Sequence, residues 1–140
     1  MSIKIQSFVY CMRTERTPEG ATVAVDVRNL LMLEFLPTAF SFGLVACIVG
    51  LDSYKDYTLR YTFVDSRNEI IYDTQNIQVP FSDIKRNDPS GHKIPSEYDG
   101  ITISLMYNNL ILRDKGIYET VVMIDGQEVG RLPIFIGTQE

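Results

Sequence analysis

The amino-acid sequence predicts an all-β chain arranged as a two-layer sandwich of about 7–9 strands, and three observations carry that reading. Apolar and polar residues alternate with period two in one segment after another, the pattern of strands with one buried face, whereas helical periodicity hardly appears. Turn-forming residues separate those segments at Thr17-Pro18-Glu19-Gly20, Asp65-Ser66-Arg67-Asn68 and Asp125-Gly126. The chain has 140 residues, 45% hydrophobic and 22% charged, enough for one core without staples, so a single domain over residues 1–140 is expected.

Residues 3–12 read as the first strand, and the turn at 17–20 leads into a second at 22–28. There Val23, Val25 and Val27 share one face, which predicts a half-buried strand. Between residues 29 and 38, Leu30, Leu31, Leu33, Phe35 and Leu36 crowd together ahead of Pro37. A short helix or irregular crossover is expected there, because proline ends a helix. Phe40, Phe42, Leu44, Ala46 and Ile48 then line one side of a strand whose other side carries Ser41, Gly43, Val45 and Cys47, which predicts a central position. Tyr57, Leu59, Tyr61 and Phe63 alternate with Thr58, Arg60, Thr62 and Val64, and the turn at 65–68 joins this strand to a partner over 69–79. Residues 82–100 hold Pro89, Gly91, Pro95 and Gly100 among polar side chains and read as the longest loop. Strands are expected beyond it at 101–105, 107–112, 118–124 and 128–136, the last two joined by Asp125-Gly126, the strongest hairpin signal in the chain.

One local pattern is more specific. Asp114-x-Gly116-x-Tyr118, entering a strand, resembles the tyrosine corner of immunoglobulin-like sandwiches, in which the hydroxyl bonds back to the backbone just upstream. The resemblance implies an immunoglobulin-like antiparallel sandwich of Greek-key type, with Asp114, Gly116 and Tyr118 as its structural corner. Thr120 stands where antibody domains carry their second cysteine, and the chain has no Trp, so a true antibody-type domain is excluded. More broadly, Leu36-Pro37, the apolar run 40–51, Gly116-Ile117-Tyr118, Val122, Asp125-Gly126 and Leu132-Pro133-Ile134 resemble a group of uncharacterised small bacterial β-sandwich proteins. That resemblance implies this fold and a bacterial origin, and it lends no catalytic residue.

The formal charge of −5 disfavours phosphate backbones and anionic lipid, which demand surfaces rich in Lys and Arg. The N-terminal residues lack the basic and apolar regions of a secretory signal, and the run 40–51 is too short to span a bilayer, so a cytoplasmic protein is expected. Cys11 and Cys47, each in an apolar alternating segment, are expected to be structural thiols.

Chemistry is sparse. His92, the only histidine, lies near Ser90 in a loop, with no nucleophile elbow elsewhere. Two Cys and one His do not make a zinc site, and no phosphate-binding glycine motif is present, so no cofactor is expected. Asp52, Asp56, Asp83, Asp88, Asp99 and Asp114 fall in or near loops, where they suit turns and leave open a calcium- or small-ligand-binding alternative. Glu97 and Asp99 are two residues apart, without the tryptophan that would support glycoside chemistry. Most aromatics fall on alternating faces and fill the core; Tyr54, Tyr72, Tyr98 and Tyr107 are candidates for the surface. The leading expectation is a non-catalytic protein-binding or assembly module of the bacterial cytosol, binding a protein partner or a second copy in a homodimer. Its first contact candidates are Asp83, Lys85, Arg86, His92 and Tyr98 along the long loop, and its second is the exposed edge of a terminal strand.

Overall fold

In the computed structural model, residues 3–84 and 95–139 are described. They form β1 (Lys4–Arg16), β2 (Thr22–Arg28), β3 (Leu30–Leu33), β4 (Thr38–Val49), β5 (Tyr57–Val64), β6 (Ile70–Asp73), β7 (Ile77–Val79), β8 (Gly100–Leu112), β9 (Gly116–Ile124) and β10 (Gln127–Thr138). Short 3-10 turns occupy Phe81–Asp83 and Ser96–Tyr98. Two sheets result: a four-stranded sheet in the order β2-β1-β4-β8, and a larger one in the order β3-β10-β9-β5-β6, with β7 also pairing β5. Among the described residues no helix is long and apolar enough to cross a membrane.

Several elements depart from expectation for local physical reasons. Residues 30–33 form neither helix nor irregular crossover but strand β3, which alternates exposed Leu30 and Met32 with buried Leu31 and Leu33 and runs parallel to the end of β10. The sheets are therefore not wholly antiparallel. The Leu36-Pro37 peptide bond after β3 is cis. The partner of β5 is split into β6 and β7, with Gln75 in the left-handed region at φ 59° between them. Conversely, the two strands expected within 101–112 are one, β8, which absorbs an extra residue as a bulge opposite Phe40 and Phe42. Asn109 takes φ 54° near the bulge, and its N–H donates to Ser41 Oγ at 2.9 Å.

The core lies between the inner faces of the sheets. Pairing aligns Tyr10, Leu44 and Leu105 across the small sheet, and β4 supplies Phe42, Ala46 and Ile48 to the same side. Phe42 meets Phe63 of the opposite sheet with ring centroids 5.7 Å apart, and Phe63 meets Tyr107 at 4.8 Å. Each such ring contributes roughly 1.5–3 kcal/mol through burial.

A hydroxyl chain ties the sheets together inside this apolar layer. Tyr10 of β1 donates to the Leu132 carbonyl at 2.6 Å, so its oxygen accepts from Thr120 at 2.7 Å. Thr120 in turn accepts from Tyr107, also at 2.7 Å. Donor bookkeeping thus orders the chain as Tyr107 to Thr120 to Tyr10 to Leu132. Every hydroxyl in it is satisfied.

Candidate functional site

Two surfaces stand out: the outer face of the small sheet and a cleft at one end of the molecule. The outer face follows from register. The pairs Val27–Cys11, Cys11–Gly43 and Gly43–Met106 set one row across β2, β1, β4 and β8, on the side away from Tyr10 and Leu44. The next row in one direction is Val9, Val45 and Ser104, and in the other Val25 pairs Arg13. Valines expected to half-bury β2 therefore point outward: β2 is the outermost strand of the sheet, and Val27 is 58% exposed. The sequence shows that these valines share a face, but not that the face turns away from the core. At the rim Arg13 and Glu15, both exposed, form an ion pair at 2.9 Å. Cys11 lies within the face yet is buried, its thiol pKa pushed up by desolvation, which suits a packing role. Both cysteines are free.

The end cleft, of about 710 Å³, lies where the 50–55 connection, the approach to β8 and the β9–β10 hairpin meet. Its volume falls in the range of small-molecule sites. Asp52 Oδ1 accepts the Tyr54 N–H at 2.9 Å, and the Asp52 N–H donates to the Tyr57 hydroxyl at 2.8 Å. Asp125 Oδ1 accepts the Thr58 N–H at 2.9 Å, and its Oδ2 lies 3.4 Å from Lys55 Nζ. Asp99 also lines the cleft; it is only 7% exposed, and its Oδ1 has no hydrogen-bond partner among the described residues.

The residues singled out from the sequence scatter. Asp83 is exposed at the end of its 3-10 turn and borders a groove of about 610 Å³ with Arg16, Tyr61 and Ile101. Tyr98 is 52% exposed but does not line that groove. Lys85, Arg86 and His92, with Asp88 and Ser90, lie outside the described residues. Asp114, Gly116 and Tyr118 do come together. The Tyr118 hydroxyl donates to the Asp114 carbonyl at 2.6 Å and accepts the Asp114 N–H at 3.3 Å, while Gly116 takes φ 146° against Ser66.

Tyr107, expected at the surface, is fully buried at the centre of the aromatic cluster, with Tyr72 edge-on to it at 5.2 Å. The inward parity of β8 runs unbroken through Ile103, Leu105 and Tyr107 up to its bulge, which a reading of two separate strands conceals. The first and last strands of the chain are paired on both sides, β1 by β2 and β4 and β10 by β3 and β9, whereas β2 and β8 end the smaller sheet and β3 and β6 the larger. The loop carboxylates also separate, with Asp52 and Asp99 in the end cleft, Asp56 accepting the Phe81 N–H at 2.8 Å, and Asp114 at the corner. Among the described residues, no group of three His, Cys, Asp or Glu is placed to hold a metal ion.

No family model matches the chain, and no curated protein matches it. Among solved structures, it is similar to Pseudomonas fluorescens alkylpurine DNA glycosylase AlkC bound to DNA containing an abasic site analog, with 10% identity and a TM-score of 0.47. The match covers 96% of this chain and 30% of that one, so this chain spans less than a third of that protein's length. A likeness this slight carries no argument about fold or function.

Proposed function

We propose that this chain is a non-catalytic assembly module of the bacterial cytosol that pairs with a second copy of itself through the outer face of the small sheet. The carrying observation is the row Val27, Cys11, Gly43 and Met106 with Val9, Val25 and Val45 around it, an apolar outer face on which Val23 and Val27 of the edge strand are exposed while Cys11 and Gly43 are buried among their neighbours. Contiguous apolar surface rimmed by polar groups marks association sites. A second copy suits the rim, because Arg13 and Glu15 offer one charge of each sign on one strand. The two already pair within the chain, so this part of the rim carries no net charge to repel a second copy. An immunoglobulin-like Greek-key architecture belongs to the same reading. It is supported by the Tyr118 corner, by β4 and β8 lying in one sheet while β5, β9 and β10 lie in the other, and by β3 running parallel to β10.

Sedimentation equilibrium over a concentration series tests the assignment. The wild-type chain should show a monomer–dimer equilibrium, and Val27→Asp should weaken it by about tenfold or more, the effect of ~1.4 kcal/mol at an interface, with an unchanged melting temperature. A chain that stays monomeric at every concentration overturns the proposal. So does a Val27→Asp protein that dimerises as well as the wild type.

A further inference from the structure

Asp99 is held in the end cleft by its own backbone. Its carbonyl accepts the N–H groups of Gly50 at 2.9 Å and Leu51 at 3.0 Å. The next residue, Gly100, is pressed so close to β4 that a Cβ there would lie 1.8 Å from the Ile48 carbonyl oxygen. The side chain is thus carried on a clamped segment into a nearly buried position, where a carboxylate oxygen lacking a donor is costly. The neighbouring carboxylates are engaged, Asp52 with the Tyr54 N–H and Asp125 with Thr58 and Lys55. Among the buried side-chain nitrogens and oxygens of the described residues, Asp99 Oδ1 is the one without a partner.

The surroundings favour a cation that brings its own N–H donors. The cleft is lined by three carboxylates, Asp52, Asp99 and Asp125, against the single ammonium of Lys55. Among the described residues the acids do not converge as a metal-binding group, so a bare ion is the poorer fit. Aromatic surface is at hand as well: Lys55 Nζ already sits 5.0 Å from the centre of the Tyr57 ring, the geometry by which a ring face attracts an ammonium. We infer that the end cleft binds a small primary alkylammonium ligand, with Asp99 accepting its N–H and the aliphatic part lying in the remaining space of the cleft.

Isothermal titration of the full chain with putrescine tests this. Saturable one-to-one binding is expected, at least about tenfold weaker in Asp99→Asn, the loss of one charge-assisted hydrogen bond. Tetramethylammonium, which has no N–H, should bind far more weakly than putrescine. Should Asp99→Asn not fold, as judged by near-ultraviolet circular dichroism, Lys55→Gln decides. Removing the resident ammonium should tighten putrescine binding, and unchanged or weaker binding overturns the inference. Absence of saturable heat, equal affinity in folded Asp99→Asn, equal affinity for tetramethylammonium, or displacement of putrescine by stoichiometric calcium each overturns it too.

Discussion

Thr120 shows how one small side chain can connect two sheets. It offers one donor and two acceptor positions, and the geometry uses it as donor to Tyr10 and as acceptor from Tyr107. Valine has nearly the same shape and neither capacity. In Thr120→Val, Tyr10 keeps its bond to the Leu132 carbonyl, but the fully buried Tyr107 hydroxyl loses its acceptor. Urea unfolding should show a loss of about 1–3 kcal/mol. Because most of that cost is the stranded hydroxyl, Thr120→Val combined with Tyr107→Phe should be destabilised by clearly less than the sum of the two single changes. Strict additivity would mean that the three hydroxyls do not act as a chain.

At the scale of the element, backbone contact matters as much as side-chain pattern. β8 can begin beside β4 only because Gly100 has no Cβ to meet the Ile48 carbonyl. Gly100→Ala should force the strands apart and cost about 3 kcal/mol, the upper range for overpacking, read as a lowered urea midpoint with an unchanged slope. An unaffected midpoint would show that the strand start shifts freely. The strands and the corner were largely legible from the sequence because their signals are local: alternation along β4 and β5, Asp125-Gly126 between β9 and β10, and Asp114 to Tyr118 within five residues. β3 was hidden because four residues are too few to show a period, and its pairing comes from the far end of the chain at Phe135–Thr138. The end cleft was hidden for a related reason. Asp99 appeared among six scattered loop acids, and nothing local brings it beside Lys55 and Asp125; only convergence of three distant connections does.

Across the whole molecule, the use of tyrosine as a core residue sets a limit at high pH. Desolvation raises the pKa values of Tyr10, Tyr61 and Tyr107 above the ordinary value of about 10. Raised values in the folded state mean stability that is fully present below the unfolded pKa and falls as pH climbs beyond it, because the unfolded chain releases protons that the folded chain retains. Each of these residues removes up to about 1.4 kcal/mol per pH unit above pH ~10 until its folded-state pKa is reached. Three together approach 4 kcal/mol per unit, against a total stability of roughly 5–15 kcal/mol for a domain. Alkaline unfolding should therefore be steep, with the absorbance of the buried tyrosinates rising together with loss of near-ultraviolet circular dichroism. Tyr61→Phe removes one titrating hydroxyl from the core while keeping the ring, so its alkaline midpoint should move upward relative to its own neutral-pH stability. If buried tyrosinates appeared while tertiary structure persisted, or if Tyr61→Phe left the midpoint and steepness unchanged, these phenols would not be what couples folding to pH.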